Sequence, residues 1–283
     1  MKHRQEYPIK ALCRLLRVSR SGFYEWKHRE ESPLAAANRK LSTQIQEIFE
    51  ESDSTYGSPR ITAELKAQGH QCSETRVARL MQKAQLCSVY RRKFKVCTTQ
   101  SNHDEPIAEN IISQDFSAAE VGEKVGCDIT YIETDEGWLY LAVVLDFCSR
   151  KILGYAFSDS LESGLVCEAL IKAVGNHRLP AELIHHSDRG VQYASSRYRA
   201  LLQSLRMRQS MSRSGNCYDN AITESFFATL KVERVHQRRY RTRTIATIDV
   251  SDYIDCWYNP KRRHSSLGMV SPGEFIARQT LAA

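Results

Sequence analysis

No run of apolar residues in this sequence is long enough to cross a bilayer; the longest, Trp138–Leu145, has the length of a strand. The first ten residues carry charge with no apolar core after them, so no secretory leader is expected. No C-x-x-C pair occurs, and the nine cysteines, at 13, 72, 87, 97, 127, 148, 167, 217 and 256, are odd in number and scattered. That pattern argues against a disulfide framework and against a cysteine-based zinc site. The reading it leaves is a set of reduced, mostly buried thiols.

What is present fits a soluble protein of two or three compact pieces. The chain has 283 residues, 42% hydrophobic and 26% charged. Its net charge of +7 is unevenly spread: residues 1–100 balance to +9, residues 101–230 to −7 and residues 231–283 to +5. Basic flanks suit a polyanion, and an acidic middle suits metal cations. Solvated surfaces of uneven charge would give the same count, so charge alone does not decide.

The first hundred residues read as helices. Leu12, Leu15 and Leu16 form an apolar stripe, and Ser19 is placed to cap a second short helix that buries Phe23 and Trp26. This texture fits a helix-turn-helix or a plain helical hairpin equally. Leu41, Ile45, Ile48 and Phe49 predict an amphipathic helix, Pro59 suits a first helical position, and Gly69 closes the next helix. Ser73 caps a helix from Glu74 to about Lys83, with Val77, Leu80 and Met81 inward. Its Arg76, Arg79 and Lys83 share an outer face, as on a recognition helix or on an ordinary solvated one. The run from Tyr90 to Lys95, with Arg91 and Arg92, interleaves basic and aromatic residues and suits phosphate contact and stacking. The expected domains are a helical region over 1–100, with its helix-turn-helix best marked at 40–97; a linker over 101–120; a core of strands and helices over 121–235; and a basic C-terminal tail over 236–283.

From residue 124 the pattern becomes strands. Lys124–Glu133, Trp138–Asp146 and Lys151–Phe157 predict an antiparallel meander whose second strand, apolar on both faces, lies centrally. A helix over 161–174, a strand over 182–186, a helix over 193–205, a strand near 207–209 and a helix from Ala221 follow. This order gives an α/β fold, a mixed sheet covered by helices. Asp128 sits inside an apolar strand, where a carboxylate is costly unless a cation or donor satisfies it. Asp188 lies just past a short strand, a usual place for site residues. Glu224 opens a helix, and Lys231 follows it two turns later on the same face, about 10 Å away. Periodicity does not single these three out of 33 acidic residues.

Motifs do. The segments 128–132 (DITYI), 137–146 (GWLYLAVVLD), 186–193 (HSDRGVQY) and 219–231 (DNAITESFFATLK) closely resemble the DDE transposases of bacterial insertion sequences. The closest group is insertion-sequence family three, longer reading frame. Thirty-five residues separate Asp188 from Glu224, the D-35-E spacing shared with retroviral integrases. Segments 258–268 (YNPKRRHSSLG) and 56–61 (YGSPRI), with the Arg76 helix, match the family's tail and helix-turn-helix. The resemblance implies a ribonuclease H-like core. It implies Asp128, Asp188 and Glu224 as catalytic residues and metal ligands for two Mg²⁺ ions, with Mn²⁺ able to substitute. It implies cleavage of one strand at an element end by water, then direct attack of the freed 3′-OH on another phosphodiester. The partners it implies are DNA, an upstream-frame helix-turn-helix protein or fusion, and further copies of the chain on DNA. No membrane association is expected, and the place of action is the nucleoid-associated bacterial cytoplasm. The sequence departs from the family at Lys124–Asp128 (KVGCD), which lacks the usual Trp; two readings stand, looser packing around the first acid or a decayed copy. The zinc-binding domain of retroviral integrases is absent, so zinc is not expected.

Substrate contacts are expected at Lys231, His186, Asn220, Arg76, Arg79, Lys83, Arg91 and Arg92. For His186 a structural hydrogen bond, and for Asn220 a helix-terminal role, are the competing readings. Asp146 is read as a turn residue. The clusters 238–243 and 261–263 are read as DNA contacts or a solvated face. Two rival functions stand beside transposition: a catalytically dead DNA-binding repressor, and a hydrolytic nuclease on the same fold.

Overall fold

The computed structural model describes residues 8–89, 105–213 and 217–282, in two compact units, Met1–Cys87 and Ser88–Ala283. Arg91 and Arg92 lie outside the described residues.

In the first unit, α1 (Ile9–Leu15) and α2 (Arg20–His28) precede three longer-range partners, α3 (Pro33–Glu51), α4 (Ser58–Ala67) and α5 (Glu74–Lys83). The core of the last three is the predicted stripe: Leu41, Ile45, Ile48 and Phe49 of α3 with Ile61 and Leu65 of α4 and Val77, Leu80 and Met81 of α5, all buried. Ser73 Oγ accepts from Arg76 N at 3.3 Å and so caps α5. Gly69, at φ +88°, supplies the left-handed residue that ends α4. The leading pair departs from expectation. Ser19 does cap α2, accepting from Gly22 N, but Trp26 is 61% exposed and Leu15 79%. Helices of seven and nine residues have too little surface to bury aromatic rings against each other.

In the second unit, β1 (Lys124–Thr134), β2 (Gly137–Asp146), β3 (Ile152–Ser158), β4 (Ile184–Ser187) and β5 (Arg208–Met211) form one sheet of order β3-β2-β1-β4-β5. The first three strands pair antiparallel, whereas β1–β4 and β4–β5 are parallel. This is the mixed ribonuclease H-like sheet expected. Side chains alternate between two cores. Val125, Cys127, Ala142 and Val144 face α6 (Ser163–Asn176), α7 (Val191–Ala194) and α8 (Ser196–Ser204). Ile132, Leu141, Val143 and Leu145 face α9 (Ala221–Glu233) and α10 (Arg243–Asp252). β2 is therefore covered on both faces. A π-helical turn, Tyr253–Tyr258, and α11 (Pro272–Ala282) complete the unit. Residues 236–283, read from sequence as a basic tail, supply Tyr240, Ala246, Val250, Tyr253, Ile254 and Tyr258 to the second core. The helix predicted over 193–205 breaks at Ser195, which caps α8 by accepting from Tyr198 N.

Helix α6 lies hard on β3. A Cβ added at Gly154 would stand 2.4 Å from Ala173 N and 2.5 Å from Ala169 O, backbone atoms that cannot swing away. Gly154→Ala is therefore expected to lower stability by about 1–3 kcal/mol, the usual cost of overpacking. The urea midpoint reads it, and an unchanged midpoint would contradict the packing.

Candidate active site

The three acids arrive on three elements. Parallel pairing of β1 with β4 ends at Cys127↔Ser187, so Asp128 and Asp188 are the next residues on neighbouring strands. Asp128 Oδ1 accepts from Ile129 N at 2.8 Å, and Asp188 Oδ1 accepts from Gly190 N at 2.9 Å. The turn after β4 thus folds back on Asp188. Glu224 comes from the first turn of α9.

Helix α9 reaches the acids because β1 carries no side chain at Gly126. A Cβ there would meet Thr223 Oγ1 at 2.4 Å and Phe147 Cε1 at 2.6 Å. Thr223 is fully buried and directly precedes Glu224. Asn220 Nδ2 donates to Cys127 O at 3.3 Å, tying the start of α9 to the residue before Asp128. The Val125–Cys127 departure therefore does not loosen the first acid. Val125 and Cys127 are buried, and Gly126 is filled by its neighbours.

The far end of α9 is held by a buried ion pair. Arg262 donates to Glu233 from Nε at 2.9 Å and from Nη2 at 2.8 Å, and Tyr253 OH adds a hydrogen bond at 2.7 Å. Both charges are buried, which is tolerable because guanidinium and carboxylate meet two-to-two.

The electrostatics of the acids are mutual. Loss of hydration pushes the Asp128 carboxyl well above the usual range, with Asp188 and, more weakly, Glu224 adding to it. The Ile129 N–H and Lys231 oppose it. Glu224 is likewise raised, by lost hydration and then by Asp188. Lys231 Nζ sits 4.4 Å over the Tyr131 ring; its pKa is lowered by lost hydration, against the pull of Asp128. Among the described residues, no group of three or more His, Cys, Asp or Glu side chains stands ready to hold a metal ion as placed. The chemistry of the donors nonetheless fits one: carboxylate oxygens only, in an anionic cluster that a hard divalent cation relieves.

Other expected contacts fall elsewhere. His186 is fully buried. Its Nδ1 meets Ser210 Oγ at 2.9 Å and its Nε2 meets Ser212 Oγ at 3.2 Å. It braces β4 against β5 and has no nitrogen turned to a substrate. Asn220 is also buried; its side chain does not cap α9, and its amide nitrogen instead ties the helix start to the Cys127 carbonyl of β1. Asp146 takes its turn role, accepting from Gly122 N and from Ser149 N and Oγ. Arg262 and Arg263 are buried, the latter donating to Met269 O at 2.8 Å, so neither presents its charge to DNA. Arg238 and Arg234 pair with Asp249, and Arg239 pairs with Asp135. On α5, Arg79 and Lys83 are exposed, whereas Arg76 is half-buried and donates to Asn38 Oδ1 at 2.9 Å.

Sequence reasoning missed Asp219. It is buried, and it accepts from Arg213 N, Nε and Nη2 and from Asn110 Nδ2. The Arg213 guanidinium, first among these, holds its carboxyl down at about 2. Asp219 anchors one end of the stretch between β5 and α9.

A mixed sheet with one acid inside β1, a second just past the end of the parallel strand beside it, and a third on a helix packed against β1, is the arrangement of the integrase-type polynucleotidyl transferases. Comparison agrees. An HTH-like domain matches residues 36–94, and integrase core domains match residues 118–217 and 205–272. Transposase InsF of insertion sequence IS3A from Escherichia coli K12 is 42% identical over 276 residues, 97% of this chain and 96% of that protein. The 31 kDa protein of insertion element IS600 from Shigella sonnei is 40% identical over 264 residues, 93% and 97% of the two chains. The solved catalytic core domain of BIV integrase aligns at a TM-score of 0.43 and 16% identity, covering 57% of this chain and 97% of that one. The chain belongs to the IS3 family of insertion-sequence transposases.

Two substitutions test the seating of α9. Gly126→Ala is expected to cost about 1–3 kcal/mol by overpacking and to displace Thr223 and Glu224 together. Arg262→Met strands a buried Glu233 and is expected to cost about 3–5 kcal/mol. The double variant Arg262→Met, Glu233→Met should recover much of that loss. Denaturant unfolding reads all three, and equal losses for Arg262→Met and the double variant would refute the buried pairing.

Proposed function

We infer that this transposase cleaves DNA at element ends and transfers the freed 3′-OH strand, with Asp128, Asp188 and Glu224 as its catalytic carboxylates. The observation carrying this reading is the mutual electrostatic coupling of those three acids, which three separate elements deliver to one place beside Lys231. The same three residues would hold two Mg²⁺ ions, or Mn²⁺ in their place, which when bound activate an attacking oxygen and stabilise a leaving one.

The protein's own groups do the rest. Asp128 inside β1 and Asp188 just past β4 each directly follow the last pair of the β1–β4 ladder, which sets their spacing. Lys231 holds a phosphate of the bound strand next to the acids; its partial desolvation strengthens that attraction. Arg79 and Lys83 of α5, with the basic run that includes Arg91 and Arg92, take backbone phosphates of the element end. Joining two ends requires two such sites, so the active species is an oligomer on DNA. A small upstream-frame helix-turn-helix protein, separate or fused, supplies further end recognition in the bacterial cytoplasm.

The test combines the protein, the upstream-frame partner, Mg²⁺ and a labelled element-end duplex. Cleavage and joining are expected together, and both should fall to background in Asp128→Asn, Asp188→Asn and Glu224→Gln while end binding persists. Cleavage without joining would indicate a nuclease, and binding with neither would indicate a repressor. In the binding arm, Arg79→Ala and Lys83→Ala should each weaken binding on any sequence. Each should also flatten the plot of log affinity against log salt by about 0.9 for every phosphate no longer neutralised. An unchanged slope would remove α5 from the DNA interface.

A further inference from the structure

Strand β4 is four residues long and pairs with β1 only over residues 124–127. Beyond Asp128, among the described residues, that edge of β1 has no strand beside it until Thr134 bridges Tyr240. Along this stretch lies an aromatic pair that nothing in the catalytic reading uses. Tyr131 and Trp138 meet edge to face, with ring centroids 4.9 Å apart and planes at 83°. Trp138 is 46% exposed, although it begins a strand that is otherwise among the most buried in the protein.

Two cations touch this pair, one at the Tyr131 ring and one at the Trp138 backbone. Lys231 Nζ lies over the Tyr131 ring at 4.4 Å and is electrostatically coupled to Asp128. Arg243 Nε donates to Trp138 O at 3.0 Å. Lys231 thus touches the Tyr131 ring while its charge acts on Asp128. An exposed indole packed on a tyrosine that itself carries an ammonium suits a ligand with a flat apolar face and an adjoining phosphate, which describes an unpaired nucleotide. Tyr131 lies three residues beyond Asp128, about 10 Å along the strand. That span matches two or three stacked nucleotides at about 3.4 Å each.

We propose that Trp138, held upright by Tyr131, stacks on an unpaired base within about three nucleotides of the phosphate at the acids, while Lys231 contacts the connecting backbone. This rests on the cleavage reading above, so the test separates the two.

The probe is a series of element-end duplexes in which each base within three nucleotides of the scissile phosphate, on either strand, is replaced in turn by an abasic site. Wild type, Trp138→Ala and Trp138→Phe are compared for binding by gel shift and for cleavage in Mg²⁺. In wild type one abasic position should cost about tenfold or more, the usual worth of one base stacked on an aromatic ring. Trp138→Ala should show that loss on intact DNA and no further loss at the abasic position. Trp138→Phe should keep the wild-type profile. An identical abasic profile in wild type and Trp138→Ala would overturn the proposal. So would wild-type binding and cleavage of intact DNA by Trp138→Ala. Loss of self-association in Trp138→Ala, with the abasic profile intact, would assign the indole to a protein interface and also overturn it. If wild type cleaves nothing, the catalytic reading fails and the gel-shift profile alone still decides the stacking.

Discussion

The seating of α9 on β1 is the contact on which the site depends. Glu224 and Lys231 both ride on that helix, and their positions relative to Asp128 follow from how closely it lies to the strand. Gly126 sets the approach by leaving room for Thr223 and Phe147. Asn220 fixes the helix start through the Cys127 carbonyl, and Glu233 fixes its end through Arg262 and Tyr253. A helix pinned at both ends and in contact at its first turn has little freedom to slide. A shift of one residue would carry Glu224 about 1.5 Å along the axis and turn it by roughly 100°. Such precision is needed where the reacting groups come from three elements.

That arrangement gathers like charges, and like charges in a partly desolvated place oppose folding. Burial, then Asp188 and Glu224, raise the proton affinity of Asp128, and burial, then Asp188, raise that of Glu224, with Lys231 and the Ile129 N–H set against the shift at Asp128. The rest of the unit must supply the stability. Two cores do so, one on each face of the sheet, and β2 contributes to both. Residues near the acids are fixed by hydrogen bonds of their own: His186 between two serines, Asp146 across a turn, Asp219 under Arg213. An anionic site is sustainable here because the sheet that carries it is closely packed on both faces.

Local features were legible in the sequence because their physics is local. Caps at Ser19 and Ser73, the apolar stripe of α3 and the doubly apolar run of β2 need only a few neighbouring residues to declare themselves. The three acids were legible through motif and spacing, and no property of Asp128 itself marked it among the other carboxylates. What stayed hidden involves partners far apart in the chain. Arg262 reads as one more cation in a basic tail until Glu233, 29 residues earlier, is seen to bury it. Gly126 reads as a loosened approach to the first acid until Thr223, 97 residues later, fills the space. His186 reads as a site histidine because it sits two residues from Asp188, yet strand alternation turns its ring to the Ser210 and Ser212 hydroxyls. In each case the sequence shows the residue type, and the pairing that decides its role is a property of the fold.

The shortness of β4 links fold to access. Four residues suffice to bring Asp188 beside Asp128 through the parallel ladder, and a longer strand would carry hydrogen bonding past Cys127 along the rest of β1. That continuation would wall off the edge where Lys231 now reaches Tyr131. Ending the strand at Ser187 therefore does two things at once. It releases Asp188 into a turn closed by Gly190, and among the described residues it leaves that edge of β1 with no strand beside it before the Tyr240 bridge. An open edge normally invites pairing with a second protein chain. Here the acids at one end, the Tyr240 bridge at the other and the Lys231 ammonium between them make it short and charged. Those features discourage a β-strand partner while remaining compatible with a phosphate backbone.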